Sequence, residues 1–139
     1  MSTELLKGTC LCGRVSVSLP REGAASAICH CASCQKQTGS AYSVVVMAPA
    51  PDVTVDGALA EFHDTTVKGE PVLRKFCPNC GSPVETVSAA IEGLGVRVIK
   101  AGLLEGGAPA PQMQLFCENM LGWSASLPET ARFSQMPGG

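Results

Sequence analysis

Val15, Val17 and Leu19 alternate with Arg14, Ser16 and Ser18, and Pro20 ends the run. Period-two alternation of β-branched and polar residues marks a strand with one buried face. The pattern returns over residues 52–56, 83–88 and 95–100, each stretch bounded by Gly or Pro. Residues 26–30 are short and apolar, and predict a further strand. Residues 43–47 are a continuous β-branched run, which predicts a strand buried on both faces. Residues 59–67 predict another strand, with His63 on its polar face. Fifteen glycines and ten prolines punctuate the chain, and no long stretch carries a 3.6-residue period. The one candidate for helix is a single turn, or a polar loop, over residues 35–39. Residues 104–111 are Gly, Pro and Ala, hence loop. Many short strands predict a mainly β fold in one domain over residues 1–139, with a core from about 7 to 125.

Against this background the eight cysteines are the informative residues. Cys77-Pro78-Asn79-Cys80-Gly81 places two thiolates where a sharp turn lets both grip one tetrahedral zinc. Cys10-Leu11-Cys12-Gly13 supplies a second pair: i and i+2 in an extended chain share a face, and Gly13 allows a bend. A disulfide within that pair would be badly strained. Structural zinc takes four protein ligands, so Cys10, Cys12, Cys77 and Cys80 are expected to form one structural site. This leaves Cys117 and the cluster Cys29-His30-Cys31-Ala32-Ser33-Cys34. Three thiolates on one zinc leave a position open, the arrangement of catalytic sites, and an incoming thiol would suit it. Three alternatives stand beside that reading. Cys117 could close the tetrahedron, His30 could ligate although an extended segment turns it away from Cys29 and Cys31, or the trio could be a metal-free redox group.

Composition narrows the partners. The formal net charge is −2 and the ten Lys and Arg are scattered, so no basic stripe exists for nucleic acid. The N-terminus lacks the basic start and apolar run of a signal peptide, and no segment is long and apolar enough to span a membrane. A cytoplasmic location is expected, where reduced thiols favour metal or catalysis over a disulfide framework. Charged residues are 16% of the chain, which leaves room for a homodimer.

Gly8-Thr9-Cys10-Leu11-Cys12-Gly13, the cluster with Gln35-Lys36 and Gly39-Ser40, and Phe76-Cys77-Pro78-Asn79-Cys80-Gly81 together resemble the glutathione-dependent formaldehyde-activating enzymes, a family that includes centromere protein V-type domains. The resemblance covers about residues 7–123. It implies a β-tent fold of small antiparallel sheets, a structural zinc at Cys10, Cys12, Cys77 and Cys80, and a second zinc at Cys29, Cys31 and Cys34. It also implies a carbon–sulfur lyase reaction that joins glutathione and formaldehyde to S-hydroxymethylglutathione. Two positions depart from the family's pattern: Gln35 stands where Arg is common, and Gln114 where His is common. In such a site the cysteine trio would hold a substrate thiolate. His30, Ser40 or Tyr42 would assist the oxyanion by position, and Lys36 would meet a substrate carboxylate. His63 and Trp123 are expected to be structural. The competing reading is a non-catalytic, zinc-stabilised module that binds thiols or a protein partner.

Overall fold

The computed structural model describes residues 4–125, 127 and 130–137; Met1–Thr3 and the final glycines of the loose tail lie outside the described residues. Ten strands form two sheets. The small sheet has the order β1-β2-β5, from β1 (Leu5–Thr9), β2 (Ser16–Pro20) and β5 (Thr54–Asp56). The large sheet contains β3 (Ala25–Cys29), β4 (Ser43–Pro49), β6 (Ala60–Thr65), β7 (Pro71–Phe76), β8 (Pro83–Ser88), β9 (Val96–Lys100) and β10 (Met113–Leu115). Its order is β10-β3-β4-β9-β8-β7-β6, antiparallel except for the parallel β10–β3 pair. The mainly β expectation is met, and among the described residues no helix is long and apolar enough to cross a membrane.

The main core fills the space between the sheets. Leu6, Val17 and Leu19 from the small sheet meet Val46, Ala48 and Ile99 from one face of the large sheet. The alternation read over residues 14–19 is thus the inward face of β2, whose exposure alternates as expected. Gly8 sits where β1 touches the segment after β9: it bridges to Leu104, and a Cβ there would collide with the Leu103 carbonyl.

Two short helices differ from the sequence expectation. The first, α1, runs Ala32–Thr38 and so begins inside the cysteine cluster, with Gly39 closing it in the left-handed conformation. The second, α2 (Ala89–Gly93), has Ser88 as its cap: the Ser88 hydroxyl accepts from Ile91 N at 3.2 Å. Five residues are too few to show a helical period. The strand over residues 43–47 is not fully buried. Val44 and Met47 are half-exposed: Met47 lies on the face that opens onto a cavity, and Val44 lies at the end of the opposite face, beside a second cleft. His63 is exposed on β6 and Trp123 is 52% exposed, so neither is a core residue.

Candidate metal centres

Cys10 and Cys12 do not share a strand face. They sit in the turn that follows β1, where Gly13 N bonds Cys10 O at 3.0 Å and Val15 N reaches Cys10 Sγ at 3.2 Å. The turn needs Gly13 at φ 83°, a left-handed conformation that glycine adopts freely. Cys77 to Gly81 repeats the construction between β7 and β8: Gly81 N bonds Cys77 O at 2.9 Å, with Gly81 at φ 79°. Leu11 N bonds Ser82 Oγ at 3.0 Å and links the two turns. The four Sγ atoms lie within 4.8 Å of one another, with Cys10–Cys12 at 3.6 Å and Cys12–Cys77 at 3.7 Å. A tetrahedral metal with Zn–S of about 2.3 Å has S···S edges of about 3.8 Å, so the donor set fits zinc. The local field favours thiolate at two of the four positions, while burial and the bonds with Cys80 and Cys12 push the Cys77 thiol up. The Ser82 hydroxyl holds the Cys80 thiol at about 5, and Asn79 holds Cys12 below the usual thiol range. Cys10 and Cys77 are buried in the main core, so the site is part of the packing.

Cys29 ends β3, Cys31 caps α1, and Cys34 lies in its first turn, where Cys34 N bonds Cys31 Sγ at 3.2 Å. Helix formation at Ala32 folds the x and xx spacings into one group whose three Sγ atoms are within 4.8 Å of one another. This set also fits a tetrahedral metal, one donor short. Without metal the trio shares its protons unequally. The bond from Cys34 holds Cys29 below the usual thiol range, while that bond and burial push Cys34 well up. Cys117 is exposed in a short 3-10 turn, its thiol on Gln114 O at 3.7 Å, and is not grouped with the trio.

A family model described as glutathione-dependent formaldehyde-activating enzyme matches residues 5–119 of the chain. The chain belongs to that family. Its fold also resembles the crystal structure of a Rhodobacter sphaeroides protein, a structural genomics target, at 21% identity and a TM-score of 0.56, over 78% of this chain and 99% of that one.

In this member of the glutathione-dependent formaldehyde-activating enzyme family, the trio opens onto a cavity of about 490 Å³ on the face of the large sheet away from the main core. Strand register shows how the face is built. Cys29 pairs with Ser43, Ala27 and Val45 lead to Lys100, and Met47, Val98 and Thr86 lead to Arg74. Lys100 and Arg74 therefore share the face of Cys29 and line the same cavity. Both are buried. Lys100 Nζ donates to Ser43 Oγ at 2.8 Å, and Arg74 donates to Asp64 at 2.8 Å and to Gln37 at 3.1 Å. Burial pushes the Lys100 ammonium below the usual lysine range, opposed by the charge of Cys34. Strand alternation alone reads both as polar positions; only the pairing register places them beside the cysteines.

Other sequence candidates lie elsewhere. Lys36 lines an adjoining cleft with Phe62 and Phe76, which shares Ser33 and Arg74 with the cavity. Ser40 serves the turn after α1, its hydroxyl donating to Tyr42 O at 2.5 Å. His30 is 1% exposed and outside the sulfur group; Nε2 meets Gln114 Oε1 at 2.8 Å, and the ring lies edge-on to Tyr42 with centroids 5.4 Å apart. Both departures from the family pattern act here. Gln114 holds the His30 ring, and the Gln35 amide donates to His30 O at 2.9 Å and Asn119 O at 3.0 Å. They fasten the segment from β10 to Asn119 over the trio. In that segment Phe116, at φ 55°, lines the cavity in a conformation that few non-glycine residues adopt.

Proposed function

We propose that the chain is a zinc-dependent carbon–sulfur lyase-type enzyme that joins a thiol to a small aldehyde, with glutathione and formaldehyde as its reference pair. The observation that carries the reading is the three-thiol group, one donor short of a tetrahedron, in the lining of a cavity. In the reaction the S–H adds across the aldehyde C=O. A C–S bond forms, the carbonyl π pair moves to oxygen, and the thiol proton ends on that oxygen; cleavage runs in reverse. A zinc held by Cys29, Cys31 and Cys34 supplies a Lewis-acidic position that keeps a substrate sulfur as thiolate near neutral pH.

The protein's own groups do the rest. Lys100 and Arg74 place positive charge on the cavity wall where negative charge develops on oxygen. Cys10, Cys12, Cys77 and Cys80 would hold a second, structural zinc that ties the two turns together. His30 acts as a positioning residue, because its backbone and ring anchor the segments on either side of the trio. Lys36 and Ser40 are assigned no contact with substrate.

The test compares exchange between formaldehyde and its thiol adduct in three samples: the enzyme, the Cys31→Ser variant and buffer. Enzyme-accelerated exchange that Cys31→Ser abolishes is the expected result. Equal rates in all three, with glutathione and with simple thiols alike, would leave the non-catalytic thiol-binding module as the reading.

A further inference from the structure

Most of the charge around the cavity, and two of its hydroxyls, are already engaged, which bears on what the cavity holds. Arg74 is neutralised by Asp64 and also bonds Gln37. Lys100 is turned to Ser43 at the cysteine end. Ser88 Oγ caps α2, and Thr66 Oγ accepts from Lys68 N and Glu70 N in the β6–β7 turn. The remaining charged side chain on the lining is Glu118, an exposed carboxylate. The wall beyond the trio is mainly apolar, built from Val45, Met47, Val72, Ile91, Val98 and Phe116, with the uncharged Thr65, Thr86 and Asn119 among them. Two glutathione carboxylates entering here would meet a guanidinium already paired with Asp64, a single ammonium turned to Ser43 beside the trio, and the like charge of Glu118, and a desolvated carboxylate without a partner is costly. Size requires that one of the two reactants carry a larger body. Formaldehyde, with two heavy atoms, displaces on the order of two waters, or ~60 Å³, while the cavity is about 490 Å³.

We propose that the cavity takes a hemithioacetal with an uncharged apolar body, whose sulfur sits at Cys29, Cys31 and Cys34 and whose body lies along the Val45–Met47–Val98 wall. The assignment rests on the thiol–aldehyde reading of the trio and narrows its substrate class. The body enters on either reactant, as an apolar thiol with formaldehyde or as an apolar aldehyde with a small thiol. The chemistry is the same addition, with no net oxidation or reduction.

Two measurements on the metal-loaded protein test it separately from catalysis. Calorimetric titration with benzyl mercaptan and with glutathione reads binding whether or not turnover occurs. Benzyl mercaptan is expected to bind at least about tenfold more tightly, the discrimination an apolar pocket gives for a methylene or more. Equal or tighter binding of glutathione overturns the inference. Exchange assays with benzyl mercaptan and formaldehyde, and with mercaptoethanol and benzaldehyde, identify which reactant carries the body. If neither exchange is accelerated while the binding preference holds, the lyase reading fails and the ligand class stands. Val67 is 92% exposed at the cavity mouth, so Val67→Arg leaves the core intact. It is expected to narrow the binding ratio at least about threefold by offering a carboxylate partner. A ratio that does not move overturns the placement of the ligand body.

Discussion

The two cysteine groups use the same donor atom and differ in how the chain delivers it. Cys10/Cys12 and Cys77/Cys80 come from turns far apart in sequence, and two of the four are buried in the main core. Cys29, Cys31 and Cys34 come from one six-residue stretch and face a cavity. A metal across distant turns closes a long loop, so its binding energy becomes folding energy. A metal within one short stretch closes almost none. Proton affinity does not divide the sites: each group holds thiols shifted down, Cys12 and Cys80 in one and Cys29 in the other, beside thiols pushed up, Cys77 in one and Cys34 in the other. Under the proposed function, the first group would keep its metal and contribute stability, and the second would exchange a ligand and carry the chemistry.

The strongest way to break the comparison is Cys77→Ser. Structural zinc contributes about 10–16 kcal/mol in small domains, against a typical domain stability of about 5–15 kcal/mol. The variant is expected to lose its cooperative urea transition and its β-sheet circular dichroism. A cooperative transition close to that of the parent would show that packing alone holds the two turns together.

Cys31→Ser comes next, with the opposite signature. Zinc content is expected to fall from two equivalents to one, with circular dichroism preserved and adduct exchange reduced by about 10²-fold or more. In the parent, a mild chelator should remove the same equivalent first. Simultaneous loss of both metals would erase the distinction between closed and open sites.

Much of this contrast is legible in the residue spacing. The Cys77–Cys80 turn, its partner pair and the leftover trio follow from ligand counting, and β8 appears at the residues its alternation marks. What spacing hides is geometry made by the backbone. Cys10 and Cys12 converge through a left-handed turn at Gly13, and the trio converges because α1 starts three residues earlier than its polar sequence suggests. Lys100 ends an apolar strand and Arg74 lies within an alternating one, so each reads as an ordinary polar position. Their approach to Cys29 depends on the register of five strands, which no local pattern encodes. Lys36 and Ser40, adjacent to the cluster in sequence, were placed near it by proximity along the chain, and α1 carries them away.

Gly8→Ala tests whether the closed site depends on the packing around it. The new methyl would enter the Leu103 carbonyl, forcing β1 from the 3-10 turn at Ala101–Leu103. Overpacking of this kind costs about 1–3 kcal/mol, read as a lower urea midpoint with both zinc equivalents retained. Loss of the four-cysteine zinc in this variant would mean that the sheets hold the metal, and not the reverse.

The smallest effect concerns the wall of the open site. The Asp64 carboxyl is held below its ordinary range by the hydrogen bond from Arg74, so the folded protein binds that proton less readily than the unfolded chain does. The stability this contributes is complete above the unfolded carboxylate value of about 3.9 and declines as pH falls through the lower folded value. Asp64→Asn is therefore expected to lower the melting temperature by a few degrees at neutral pH and to flatten the acid limb below about pH 4. Acid also protonates the thiols and releases metal, but it does so in parent and variant alike. The difference between their urea midpoints, followed from neutral pH downward, isolates the ion pair. A difference that stays constant through the acid range would show that Asp64 does not stabilise Arg74 against the cavity, and the guanidinium would then be free to meet a substrate anion beside the trio.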